Sequence, residues 1–183
     1  SIALNENLYP PKHPYSWPTI GSMADLAAAS FDDVIEFFRL YYAPNNTSLS
    51  IAGDISLEET RVLVEKWFGG IPAGKPVPPI DAPPAVLNEE KRIVLEDKVS
   101  LPRLYMAWLT PSVFTPGDAE MDVLSNILAG GKNSRLYKKL VYDLQIAQDV
   151  SAVQSSSALA SDFTITVTAR QGRTLTEIEA VVQ

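Results

Sequence analysis

Apolar and polar positions along the chain change period several times, and each change marks an element. Ser22 with Asp25 reads as the cap of a short helix, and Ser30 with Asp33 caps a longer one. In the longer helix Phe31, Val34, Ile35, Phe38, Tyr41 and Tyr42 recur at helical spacing, and Pro44 stops it. Leu49 and Ile51 alternate with serines in a strand that ends at Gly53-Asp54. Ser56 and Glu59 cap a third helix with Leu63, Val64, Trp67 and Phe68 on its apolar side. Further on, Arg92–Asp97 alternates as a strand, and Arg103–Thr110 is so evenly apolar that it reads as a central strand. Thr115-Pro116-Gly117-Asp118 predicts a helix start, with Val123, Leu124, Ile127 and Leu128 buried after it. A helix over 134–143 carries Leu136, Leu140 and Val141 inward. Strands follow near 147–154 and through Phe163, Ile165, Val167 and Ala169. Thr174 and Glu177 cap a last helix, whose pattern is cut at Gln183, as expected of a piece of a longer protein.

Five strands and six helices, with strands adjacent rather than strictly alternating with helices, predict an α+β fold with a mostly antiparallel sheet. Six of the 14 prolines fall between Ile71 and Ala85. A stretch so rich in proline joins neither helix nor ladder, so 71–88 reads as a linker between halves 1–70 and 89–183. The segment from Tyr9 to Pro18 is irregular, with Tyr15 and Trp17 expected to pin it.

Composition narrows the chemistry. Of 183 residues none is Cys and one, His13, is histidine. Disulfides, thiolate metal sites and thiol nucleophiles are excluded, and a zinc site with two or three His cannot be built from this segment. A net charge of −7 without basic clusters argues against nucleic acid. No apolar run is long enough for a membrane span. His13, between Lys12 and Pro14, reads as a loop-packing residue. The acid pairs Asp32-Asp33 and Glu58-Glu59 suit helix N-termini, and Glu89-Glu90 lies by the linker. Gly130-Gly131-Lys132-Asn133-Ser134-Arg135 has the composition of a phosphate loop but the wrong order and the wrong preceding element. No catalytic constellation emerges from these residues alone.

Three runs taken in order go further. His13-Pro14-Tyr15-Ser16-Trp17-Pro18-Thr19-Ile20-Gly21-Ser22, Phe37-Phe38-Arg39-Leu40-Tyr41-Tyr42-Ala43-Pro44-Asn45-Asn46 and Ile51-Ala52-Gly53-Asp54 resemble the pitrilysin, or insulinase-type, zinc peptidase family. The resemblance is closest to its bacterial branch related to processing peptidase. Leu128-Ala129-Gly130-Gly131, Ser134-Arg135-Leu136-Tyr137 and Ile146-Ala147-Gln148-Asp149-Val150 resemble that family's second domain. The resemblance implies that residues 1–70 close a first peptidase-like domain and residues 89–183 open a second, in a clamshell around an extended peptide. It implies a zinc metalloendopeptidase whose His-x-x-Glu-His helix lies before Ser1, so that this segment alone binds no zinc and is inactive. It places the family's substrate-orienting Arg and Tyr at Val141 and Gln148, neither of which can act so, while Tyr142 offers a nearby phenol. A second family subunit supplying Arg and Tyr is therefore expected, with a homodimer of the fragment and a periplasmic location as further implications. A non-catalytic structural subunit and a peptide-binding scaffold remain as alternatives.

Overall fold

The computed structural model describes residues 2–183. They divide into two compact units, one formed by residues up to Pro18 together with Ala82–Gln183, the other by Thr19–Asp81.

The first unit is built on a three-stranded antiparallel sheet in the order β1-β3-β2, with β1 Arg103–Thr110, β2 Ala147–Ser155 and β3 Ser161–Ala169. Alternation sets the two faces of this sheet. Leu104, Met106 and Trp108 on β1 lie opposite Val167, Ile165 and Phe163 on β3, which in turn face Val150, Ala152 and Gln154 on β2. That face meets Leu136, Leu140, Val141, Ile146 and Ile178 in the main core, where Leu140, Ile178 and Val167 are fully buried. The covering residues come from a helical stretch over Tyr137–Asp143 and from the C-terminal helix Leu175–Val182, while Asp118–Ala129 forms a further helix of this unit. The stretch at 137–143 is wound as a π-helix, closed by Leu144 N–H donating to the Lys139 carbonyl at 3.0 Å. The wider turn seats the adjacent side chains of Leu140 and Val141 in the core together.

The opposite face of the sheet is covered more lightly. An N-terminal helix α1, Ile2–Leu8, is an element the periodicity did not announce. Its end brings Leu8 and Tyr9 against Ala160, with Ala107 and Leu109 of β1 and Ala85 and Leu87 of the proline-rich run packed around them. This explains a misreading of β1. Its even apolarity predicts a central strand, but β3 is central and β1 lies at the edge of the three. Continuous apolarity here goes with partial cover on both faces: Leu104 and Met106 pack against the core and Ala107 and Leu109 against the α1 cluster, while Tyr105 and Trp108 stay exposed.

The second unit carries three helices, α2 Met23–Ala28, α3 Phe31–Tyr41 and α4 Leu57–Phe68. In chain order the helices of the first unit that follow are α5, Asp118–Ala129, and α6, Leu175–Val182. The capping residues act as the sequence predicts. The hydroxyls of Ser22, Ser30 and Ser56 accept from the N–H groups of Asp25, Asp33 and Glu59, and the Asp33 carboxylate returns a bond to the Ser30 N–H at 2.8 Å. Asn45 ties the end of this unit together: its side-chain oxygen accepts from Gly74 N–H at 2.8 Å. A Cβ at Gly74 would lie 2.5 Å from that of Ala43, so only glycine allows this approach.

Several further expectations need correction. The apolar sides of α3, α4 and α5 are not buried as their periods predict: Phe31, Phe38, Trp67, Phe68, Val123 and Ile127 are all exposed. Residues 48–53 and 92–97 carry strand alternation but enter no ladder among the described residues. Alternation creates a face but supplies no partner strand, and β1, β2 and β3 pair only with one another. Arg92 is instead fixed by its guanidinium, which donates twice to Glu179 of α6, at 2.6 and 3.2 Å. Trp17 is half-exposed and pins nothing; Tyr15 does, its hydroxyl accepting from Leu159 N–H at 3.3 Å. The helix expected to start at Thr115-Pro116 starts at Asp118, because Gly117 adopts φ +102° and breaks the preceding turn from it. Residues 72–88 hold no helix or strand.

Candidate functional site

The two positions singled out by the family resemblance lie in different environments. Val141 belongs to the π-helical stretch and is 7% exposed, packed into the main core. Gln148 is an exposed residue on β2. It is the extra residue of a β-bulge, since Ala147 pairs with Ala169 and Asp149 with Thr168. The bulge is held from both sides: the Asp149 carboxylate accepts from Thr168 N–H at 3.2 Å, and Arg170 Nε donates to the Ala147 carbonyl at 3.2 Å. Tyr142 is half-exposed beside Val141, its ring edge-on to that of Tyr137 at 5.5 Å between centroids.

His13 is the most enclosed titratable group, 1% exposed. Its ring stacks on Tyr9 at 4.9 Å and meets Tyr15 edge-on at 5.1 Å. Nδ1 accepts from the Tyr15 N–H at 3.1 Å, which requires the neutral ring, and burial lowers the imidazole pKa in the same direction. Tyr9 is pushed up to about 12, first by burial and then by the neighbouring Asp162 carboxylate, so its phenol stays protonated. These rings anchor the segment after α1 and leave His13 with its Nδ1 lone pair committed.

A second polar centre was not singled out by sequence reasoning. Asp118 opens α5 and is almost buried. One oxygen accepts from Phe114 N–H at 3.0 Å; the other accepts from Ser156 Oγ at 2.5 Å and Gln154 Nε2 at 3.2 Å. These bonds, Ser156 foremost, hold the carboxyl below its usual pKa. The residues come from three places in the chain, the loop before α5, β2 and the turn after it, so no local spacing could have announced them. The network fixes a loop in which Phe114 sits at φ +61° with its ring 96% exposed. A carboxylate with its lone pairs filled in this way is a structural anchor rather than an acid or base.

The effect of Asp118 has a defined sign with pH. Its folded-state pKa lies below the unfolded value of about 4, so its stabilisation is present above that value and is lost as pH falls through the folded one. Asp118→Ala therefore lowers the melting temperature by several degrees at pH 7, with the deficit shrinking towards pH 2. Melting curves at the two pH values check this; an equal deficit at both would remove the charge from the explanation.

Among the described residues no three His, Asp or Glu side chains converge on one point. The donors present do not fit a catalytic zinc, because the sole imidazole is stacked and bonded and the carboxylate nearest to burial is already saturated.

The sequence profile described as the peptidase M16 inactive domain matches residues 28–183. The zinc protease PqqE of Helicobacter pylori is 29% identical over 141 residues, covering 74% of this chain and 31% of the relative. The uncharacterised zinc protease YmxG of Bacillus subtilis is 27% identical over 144 residues, covering 79% and 34%. This chain thus spans about a third of the curated relatives it matches. Among solved structures, a peptidase M16 inactive domain from Pseudomonas fluorescens superposes with a TM-score of 0.80 at 19% identity, over 99% of this chain and 44% of that one. A protease from Helicobacter pylori superposes at 0.70 with 24% identity, over 98% and 44%. With the profile running through most of both units and the same fold in these neighbours, the chain belongs to the pitrilysin, or insulinase-type, peptidase M16 family.

Proposed function

We propose that this chain is part of a zinc-dependent metalloendopeptidase that hydrolyses extended peptides, with the zinc-binding helix on polypeptide preceding residue 1. The observation that carries the reading is a combination. The curated relatives are zinc proteases roughly three times as long as the matched stretch, and the matching profile is that of the family's inactive domain. Residues 1–70 then close a first peptidase-like domain, 71–88 join it to a second, and 89–183 open that second domain. This segment contributes cavity wall and hinge to the parent, and binds no catalytic zinc of its own.

Val141 and Gln148 stand where the family's substrate-orienting Arg and Tyr are expected, and an aliphatic side chain and a carboxamide do neither job. A second family subunit bearing Arg and Tyr completes the site. The periplasmic protease PqqL of Escherichia coli shares the fold, and we place the parent in the same compartment.

The test uses the full-length parent. Metal analysis should find one zinc per chain, absent from residues 1–183 expressed alone. Cleavage of a quenched fluorescent peptide should be weak for the parent alone, rise at least tenfold on adding a family subunit with Arg and Tyr, and vanish with chelator. A parent without zinc that never cleaves would turn the reading towards a structural subunit. Peptide binding without cleavage would turn it towards a scaffold.

A further inference from the structure

The segment that follows α1 is held by a contact that a proton can undo. His13 is the N-cap of a short 3₁₀ turn, Pro14–Ser16, and its Nδ1 accepts the Tyr15 N–H at 3.1 Å. The hydroxyl caps of α2, α3, α4 and α6 accept whatever the pH. An imidazole caps only while it is neutral, because both nitrogens of the imidazolium are donors. The His13 ring is enclosed, with Tyr9 stacked on it and Tyr15 against its edge. Both tyrosines carry the hold onwards. Tyr9 packs with Leu8 against Ala160, and the Tyr15 hydroxyl accepts the Leu159 N–H at 3.3 Å. His13 thus sits between the two rings that seat residues 2–18 on the turn joining β2 and β3. Little around the ring could hold a cation. Lys12 is its neighbour in the chain, and Lys91 lies at the end of α1, donating to the Asn7 carbonyl at 2.8 Å. Glu6 of α1 is exposed, and the Asp162 carboxylate of β3 acts on the Tyr9 phenol. Among the described residues no carboxylate stands within ion-pair distance of the imidazole.

We propose that residues 2–18 form an acid-released latch: protonation of His13 breaks its bond to the Tyr15 N–H, and the segment lifts from the sheet while the sheet stays folded. The packing permits this separation. The main core lies on the opposite face and contains none of residues 2–18. The cluster under the latch has three buried residues, and two of them, Leu8 and Tyr9, leave with it. A small contact of this kind opens on its own well before the whole unit unfolds. Linkage sets the window. Burial lowers the His13 pKa from the ordinary 6.5, so the hold is complete above that value and is lost as pH falls through the folded one. Asp118 acts in a separate, more acidic range, because its carboxyl titrates below the usual carboxylate value. The chain passes into the second unit directly after the latch, at Pro18–Thr19, and returns at Asp81–Ala82. Release therefore slackens one of the two connections between the units and bares Ala107 and Leu109 of β1. None of this depends on the protease reading.

The experiment is hydrogen exchange of the full-length parent from about pH 7.5 to about pH 5, corrected for the intrinsic rate at each pH. The peptide over 8–17 and a peptide containing Leu159 should lose protection together, by about tenfold or more, while the β3 peptide over 163–169 keeps its own. The loss should begin near pH 6.5 and run no steeper than about tenfold per pH unit, the limit for one proton. His13→Asn leaves an acceptor at the cap and removes the titration, so its profile should be flat over the same range. A flat profile for the unaltered parent, or a segment already unprotected at the upper pH, overturns the proposal. So does loss in β3 in step with the segment, which is acid unfolding of the whole unit, and so does an equal loss in His13→Asn, which gives the effect to another group. Should the Asn variant not fold, the onset and slope in the unaltered parent still decide the matter. No readout needs zinc or cleavage, so failure of the protease reading leaves this test intact.

Discussion

Leu140→Ala lowers the stability of the first unit by about 2–5 kcal/mol, the range for removing a fully enclosed leucine from a core. Leu140 is 0% exposed and lies in the cluster with Val150, Phe163, Ile165, Val167 and Ile178. Its neighbours belong to β2, β3 and α6, so collapse of one element onto the gap pulls it from the others. The π-helical turn limits relaxation further, because Leu140 also accepts the Ile146 N–H through its carbonyl at 3.0 Å. The loss therefore belongs in the upper part of that range. Urea denaturation read from Trp108 measures it, since this indole lies 6.4 Å from Phe163 at the end of the same sheet face. Replacing Trp17 and Trp67 by Phe isolates the signal. A shift in midpoint at constant slope is expected. A cost under about 1 kcal/mol would mean that the core repacks freely and that the π-helical turn confers no rigidity.

That core was largely legible in the chain. Leu136, Leu140 and Val141 at helical spacing and Phe163, Ile165, Val167 and Ala169 at strand spacing are all buried, as the periods predict. Caps at Ser22, Ser30, Ser56 and Thr174 were legible for the same reason: a hydroxyl followed three residues later by an acid is a purely local device. What was not legible is everything that depends on what lies across from a face. The alternation of 48–53 and 92–97 reported a capacity to pair and said nothing of a partner. The even apolarity of β1 could not distinguish a central strand from an edge strand covered twice. Asp118 looked like an ordinary first-turn acid. Its role depends on Gln154 and Ser156, which are brought to it by the hairpin of β2 and β3. Helix α1 was missed because Ile2–Leu8 is too short to establish a period.

Val141→Arg tests the site from the opposite direction, by restoring the kind of residue the family resemblance expects there. In this fold the substitution costs about 3–5 kcal/mol, the scale for an unpaired charge left in a packed interior. Val141 touches the main core and is 7% exposed, and its neighbours Leu136, Leu140 and Ile146 offer no acceptor. The guanidinium can escape only by leading its stem past the exposed Tyr142, which breaks the packing that the valine supplies. Gln148→Tyr is a different case. Its side chain is exposed on a bulge, where a change of surface residue stays within about 0.5 kcal/mol. The pair is thus asymmetric: one half can be rebuilt at almost no cost, and the other is closed off by the core. Urea midpoints of the two single variants, read again from Trp108, should differ by most of the Arg penalty. Equal and small losses would show that position 141 can turn its side chain to solvent, and the case for a second subunit as the source of the Arg would fall with it. A large loss confined to Val141→Arg means that this segment cannot itself supply the Arg and Tyr pair, which is what the proposal of a second subunit requires.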